Sequence, residues 1–292
     1  MHLLTRAGAL ASPHKKSSLN TAIISPFLFS FLKIPPSHER YSCYNSVMDK
    51  LLQHFKDTSV DIQNIIKAQD IAKACLKHMA SFLKPGMDRE TIHKECADYM
   101  TLLGAQGWWI HNDPALILFG ELTSYSGHED PSYLFEGKTI QNNDLISIDV
   151  APMIEKGWGD MARSFIMEEG KIISYKDTRN KEIKEGMETE MKLHELFLQN
   201  VNEKTTFSQV YEFTNAFLKK HGYHNCDYHD NFAHSIENDE RDRITFAKGV
   251  DLIISEYNKP VTYEPHICKN DRNTGFKHEN MYVFIDGKMK LL

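Results

Sequence analysis

Five residues of this 292-residue chain are chemically out of place. Asp149 interrupts an Ile- and Val-rich run over 145–151 that suits a buried strand, and Asp160 opens a second such run over 161–167. His234 sits in the apolar setting Asn231-Phe232-Ala233-His234-Ser235-Ile236. Glu264 lies beside Pro265 in VTYEPHI, and Glu279 opens a β-branched and aromatic run in GFKHENMYVFI. A buried charge is costly unless it is paired or metal-bound, and two carboxylates facing each other across a hairpin also repel. A divalent cation removes both difficulties. Four carboxylates and one imidazole suffice for two adjacent ions. The oxygen-rich set favours Mn²⁺, with Zn²⁺, Co²⁺ or Fe²⁺ accessible through the single His. In two-metal hydrolases such ions lie roughly 3.5–4 Å apart and share a water whose pKa falls toward neutrality. Taken singly, each Asp has a plainer reading: Asp160 caps a turn, and Asp149 pairs with Arg163.

The elements that must hold these residues follow from periodicity. The two runs around Asp149 and Asp160 are separated by Glu155-Lys156-Gly157 and Gly159, so an antiparallel hairpin is expected. From Val60 onward, Ile62, Ile65, Ala68, Ala72, Leu76, Met79 and Leu83 recur at steps of three or four, the face of an amphipathic helix that Lys84-Pro85-Gly86 ends. Asp88 is an N-cap for a second helix with Ile92, Cys96 and Tyr99 inward and Gly104 as its C-cap. Residues 178–199 form a charged helix, and Thr206 caps another that carries Val210, Phe213 and Phe217 inward and closes at Gly222. His128 lies in the polar loop ELTSYSGHEDPS, upstream of the hairpin, and is a candidate for substrate contact. Helices and strands alternate on both sides of the hairpin, an α+β pattern.

Composition narrows the classes. The chain is 41% hydrophobic and 25% charged, with a formal net charge of -6, which gives no reason to expect a nucleic-acid partner. No apolar run is long enough to span a bilayer, so no membrane partner is expected. Cys43, Cys75, Cys96, Cys226 and Cys268 are widely spaced, odd in number and form no CxxC, which fits reduced thiols and a cytoplasmic location. Residues 1–47 differ from the rest, with no acid before Glu39 and a basic excess. They read as a signal peptide, a transit peptide or a non-native extension upstream of a start at Met48. The third is preferred, because Pro26 interrupts the apolar patch and a domain begins directly after Met48. The expected organisation is therefore residues 1–47 outside the fold and 48–292 as one catalytic domain.

The order Asp149, Asp160, His234, Glu264, Glu279 on strand-like runs resembles the pita-bread metallopeptidases: methionine aminopeptidase, aminopeptidase P, prolidase and the metal-free creatinase. IDVAPMIEKGWGDMARSF resembles that family's paired-Asp segment, Tyr263-Glu264-Pro265 its Glu-Pro signature, and His278-Glu279-Asn280 the site of its last Glu. His128, after FGELTSYSG, matches a substrate-side His of aminopeptidase P and prolidase, and KTIQNNDL is also closer to that branch. The similarity runs from Val60 to the C-terminus, about the size of a catalytic domain alone. It implies two α+β halves in pseudo-twofold relation around a curved antiparallel sheet, with the metals at the centre. It also implies a peptidase acting on the N-terminal bond of short peptides, including Xaa-Pro, with a homodimer as the assembly to look for. In that reading Glu264 is both ligand and general acid/base, and His128 holds the substrate or stabilises the oxyanion.

Two departures stand out. Ser235-Ile236-Glu237-Asn238 replaces the family's Gly-rich context after the ligand His. The second His that normally follows, and that helps stabilise the tetrahedral intermediate, is absent; Glu240, Arg241, Asp242 and Arg243 fill the region. The alternatives are a pita-bread domain that only binds peptides or proteins, and a metal-free C–N hydrolase of the creatinase type. Both normally lack the full ligand set, which this sequence retains.

Overall fold

The computed structural model describes residues 48–56, 58–108, 113–125, 134–269 and 274–292. These all belong to the larger of the chain's two units, Pro35–Leu292. The expectations for residues 1–47 and for His128 lie outside the described residues.

After a short helix over residues 48–54 (α1), the long helix α2 (Ile62–Phe82) starts where Asp61 accepts from the Asn64 N–H, and it buries Ile65, Ala68, Ala72, Cys75 and Met79. Helix α3 (Arg89–Leu102) is capped by Asp88, which accepts from Thr91 N–H, and buries Ile92, Cys96 and Met100. Its C-cap is Leu103, with Gly104 one residue later at φ 103°. The next strands are β1 (Gly107–Trp108), β2 (Leu116–Phe119) and β3 (Asp144–Val150). After β3 come β4 (Pro152–Ile154), β5 (Gly157–Trp158), β6 (Met161–Glu168) and β7 (Lys171–Ile173). The expected hairpin is β3–β6, paired antiparallel from Asp144↔Met167 to Val150↔Met161. Its connection is more than a turn: β4 and β5 pair with each other, and β4 pairs with β1, making a small separate sheet. Gly159 and Gly157 let this excursion press against α2. A Cβ on Gly159 would meet the backbone of Ala68 and Gln69 at 2.6 Å, and one on Gly157 the backbone N of Ile65 at 2.4 Å.

The second half repeats the theme. Helix α4 (Lys181–Asn200) begins at Asn180, later than residue 178, because the Thr178 hydroxyl is engaged with Glu168. Helix α5 (Phe207–His221) carries a full capping box between Thr206 and Gln209, and ends at Gly222 in the left-handed conformation. Then follow β8 (Tyr223–Asn225), a short helix α6 (Ile254–Tyr257), β9 (Val261–Tyr263), β10 (His266–Lys269), β11 (Gly275–Lys277), β12 (Asn280–Ile285) and β13 (Lys288–Leu291). Four antiparallel sheets result, with orders β2-β3-β6-β7, β1-β4-β5, β11-β10-β8 and β13-β12-β9. An isolated bridge Arg163↔His278 stitches β6 to the β11–β12 junction.

Each half has its own core. One packs α2 and α3 on the β2–β3–β6 sheet through Leu76, Met79, Ile117, Ile146 and Ile148; the other gathers Phe197, Phe207, Phe232, Phe246 and Tyr263 beneath α4 and α5. Among the described residues no helix is long and apolar enough to cross a membrane. The cysteine expectation needs correction. Cys75 and Cys96 are buried thiols, but Cys226 and Cys268 are paired as a disulfide, because β8 lies against β10 in a register that brings them together.

Candidate metal centre

The five candidate ligands arrive from separate segments of both halves: Asp149 from within β3, Asp160 and Glu279 from just before β6 and β12, Glu264 from just after β9, and His234 from an isolated bridge with Thr245. Asp149 faces Ala162 in the β3–β6 pair, and Asp160 directly precedes β6, where its N–H donates to Gln69 Oε1 of α2 at 2.8 Å. Glu279 N–H donates to the Ala162 carbonyl at 3.0 Å, which sets the last acid beside the same point of β6. The segment bearing His234 runs against the segment that ends in Glu264: Thr262 N–H donates to His234 O and Glu264 N–H to Phe232 O, both at 2.8 Å. Asp149, Asp160, His234, Glu264 and Glu279 are all buried.

They converge on two overlapping groups, Asp160–His234–Glu279 and Asp149–Glu264–Glu279, each with donor atoms within 4.8 Å of one another. Glu279 belongs to both. His234 Nε2 lies 3.0 Å from Glu264 Oε1 and 3.5 Å from Asp160 Oδ2. Its Nδ1 lies 3.0 Å from the Ser235 carbonyl, which only accepts, so Nδ1 carries the proton in that bond. Nε2 is thereby aimed at carboxylates, an arrangement that calls for a proton or a metal ion between them. Asp149 Oδ1, Asp160 Oδ2 and both oxygens of Glu279 are buried without a hydrogen-bond partner among the described residues. Orphaned acceptors of this kind, next to an oriented imidazole, fit a hard or borderline divalent ion.

The electrostatics are strained in the direction a cation would relieve. Burial, then the repulsion of Asp149 and Glu264, pushes the Asp160 carboxyl well above the usual range. Burial, then repulsion from Asp160 and Glu264, does the same to Glu279. Burial also raises Asp149, against the opposing pull of Lys277. Glu264 is the exception. Burial works against its charge, but Lys277 and His234 outweigh it and hold the carboxyl below the ordinary range.

The plainer reading of Asp149 does not describe the structure. Arg163 donates instead to the carbonyls of Ala162 (2.7 Å) and Glu279 (2.5 Å) and to Asn280 Oδ1 (2.6 Å). Asp149 Oδ2 is held by Lys277 Nζ at 2.5 Å, and the same ammonium reaches Glu264 Oε2 at 3.1 Å. Lys277 and Asn231, whose Nδ2 donates to Glu264 Oε1 at 2.8 Å, were not among the expected site residues. Lys277 was open to the same logic as the acids, a charge in a buried strand two positions before Glu279. Asn231 carried no such signal, because an uncharged amide at the edge of an apolar run is ordinary. Where a second His was expected, Arg241 pairs with Asp239 with its side chain 82% exposed.

Metallopeptidase family M24 matches residues 63–286. No curated protein sequence matches the chain. Among solved structures, the X-Pro aminopeptidase from Thermotoga maritima superposes with a TM-score of 0.65 at 16% identity, over 79% of this chain and 60% of that one. The zinc-substituted aminopeptidase P of E. coli, solved with product, gives 0.64 at 14% identity, over 80% and 55%. The methionine aminopeptidase of Thermotoga maritima gives 0.61 at 14% identity, over 80% of this chain and 97% of that one. This chain thus spans less than two thirds of the X-Pro aminopeptidase and aminopeptidase P chains and nearly the whole length of the methionine aminopeptidase.

Proposed function

The chain belongs to metallopeptidase family M24, and from that membership we propose that it hydrolyses the N-terminal peptide bond of short peptides, Xaa-Pro among them, using divalent metal held by Asp149, Asp160, His234, Glu264 and Glu279. The observation that carries this reading is the convergence of all five residues from separate segments of the chain, with four carboxylate oxygens left without hydrogen-bond partners. Mn²⁺ is the first candidate for an oxygen-rich set, with Zn²⁺, Co²⁺ and Fe²⁺ next. When bound, such ions supply Lewis-acid polarisation of a carbonyl and a water of lowered pKa.

The chain's own groups supply the rest. Glu264, held ionised by Lys277 and His234, accepts a proton at a carboxylate oxygen and returns it to the leaving amine. Asn231 and Lys277 fix the orientation of that carboxylate. Trp158, fully buried, stacks on the His234 ring with centroids 5.9 Å apart and walls the site from water. His128 is assigned to substrate contact on the sequence resemblance. With no second His near Arg241, turnover slower than that of a complete site is expected.

The experiment is a peptide-library assay of the full chain loaded in turn with Mn²⁺, Co²⁺ and Zn²⁺. Release of N-terminal residues or cleavage of Xaa-Pro dipeptides is the expected result. Metal-loaded protein that cleaves nothing overturns the peptidase reading in favour of a peptide-binding domain.

A further inference from the structure

We propose that the Lys277 ammonium is a built-in counter-cation for the Asp149–Glu264 end of the centre, so that the chain retains one divalent ion, at Asp160, His234 and Glu279, and admits a second only by displacing that ammonium. The inference rests on the metallopeptidase reading and refines what its site holds.

Three observations carry it. First, Nζ of Lys277 lies within ion-pair distance of one oxygen from each carboxylate that distinguishes the second ligand group, Asp149 Oδ2 at 2.5 Å and Glu264 Oε2 at 3.1 Å. A second ion at Asp149, Glu264 and Glu279 would have to share those acids with a cation already bonded to them. Like charges at such separations, away from water, repel strongly. Second, the lysine is not a mobile surface group that could swing aside. Its side chain is 7% exposed. Its backbone is bracketed by Ser164, whose hydroxyl accepts from Lys277 N–H at 3.0 Å and donates to Lys277 O at 3.1 Å. It is also paired with His266 across β10–β11. Third, the unsatisfied acceptors concentrate at the other end: Asp160 Oδ2 and both Glu279 oxygens lack hydrogen-bond partners, and His234 Nε2, 3.0 Å from Glu264 Oε1, is also 3.5 Å from Asp160 Oδ2. Asp149 Oδ1 is the remaining orphan, a single free acceptor that would hold a second ion only weakly.

The test counts ions without reference to activity. The full chain is loaded with excess Mn²⁺, dialysed and assayed by elemental analysis, and Mn²⁺ alone is titrated calorimetrically into the metal-stripped protein. Wild type is expected to retain one ion per chain and Lys277→Met two, with second-ion affinity tightening by on the order of 10–100-fold. Lys277→Arg, which keeps the positive charge, is expected to retain one. Two equally tight ions in wild type, or a single ion in Lys277→Met, overturns the proposal. Should Lys277→Met not fold, wild type and Lys277→Arg decide: two tight ions in either overturns it, and one in both supports it. No ion in any form sinks the metal reading of the whole centre along with this one. One ion combined with no peptide cleavage removes only the peptidase reading.

Discussion

The two ends of the candidate centre both rest on buried acids, one beside a histidine and the other beside a lysine, and solve opposite problems. At the histidine end, Asp160 and Glu279 are buried acids with unsatisfied oxygens whose carboxyls are pushed well up by burial and mutual repulsion. At the lysine end, Glu264 is held ionised by an ammonium, an imidazole and an amide. On the reading proposed above, one end takes a cation from solution and the other carries its own. A carboxylate's role in a buried cluster is set by which neighbour neutralises it, more than by its burial, since all four are buried.

The contrast can be broken at several points. The largest effect is expected from Glu264→Gln, which keeps the size but removes the charge that Lys277 and His234 stabilise. Turnover of a cleaved short peptide should fall roughly 10²–10⁴-fold in a steady-state assay, and wild-type rates in the variant would move the proton-transfer role to another acid. Gly159→Ala attacks only the histidine end. The added methyl meets helix backbone at 2.6 Å, next to the Asp160 N–H bond to Gln69. A loss of about 1–3 kcal/mol in denaturant unfolding is expected, with weaker Mn²⁺ retention. An unchanged midpoint would show that β5 can lift from α2.

A smaller effect concerns the floor of the centre. His194 is buried with Nδ1 at 2.7 Å from Tyr282 OH and Nε2 at 2.8 Å from His278 O, and burial lowers its pKa to about 3. Its folded value lies below the ordinary 6.5, so the unfolded chain takes up a proton first as pH falls. The stability it contributes is present above that ordinary value and is lost as pH drops toward the folded one, with a slope of at most about 1.4 kcal/mol per pH unit. His266, lowered to about 4 by burial and then by Lys277, adds a slope of the same sign. His194→Gln should therefore unfold with a shallower pH dependence than wild type, not a flat one; an identical dependence would remove His194 from this account. The smallest effect expected is none: removal of residues 1–47 should leave melting temperature and ion count unchanged, and a large drop in either would place that segment in the fold.

Much of this candidate centre was legible in the sequence because an apolar, strand-like run has no ordinary place for a charge. Asp149, Asp160 and Glu279 announced themselves in this way, and the helices did so through three- and four-residue spacing and caps such as Asp88 and Thr206. What escaped depends on pairing between distant segments. The disulfide needs the β8–β10 register across a sequence separation of 42. The Asp149 partner is Lys277, not the nearby Arg163, because β11 lies across β6 by way of Ser164 while Arg163 turns to Asn280. The β4–β5 excursion was hidden because its Gly and Trp positions read as a simple turn; contact with α2 gives them their meaning.

The seat of Trp158 has an optical consequence. The indole is fully buried, its Nε1–H is bonded to the Glu237 carbonyl, and its ring lies at an interplanar angle of 28° to that of His234. A paramagnetic ion held at His234 is expected to quench the emission of that indole. On the metal reading, occupancy at the histidine end is expected to register as stepwise quenching of a blue-shifted emission component as Mn²⁺ is added, and its return when a chelator takes the ion away.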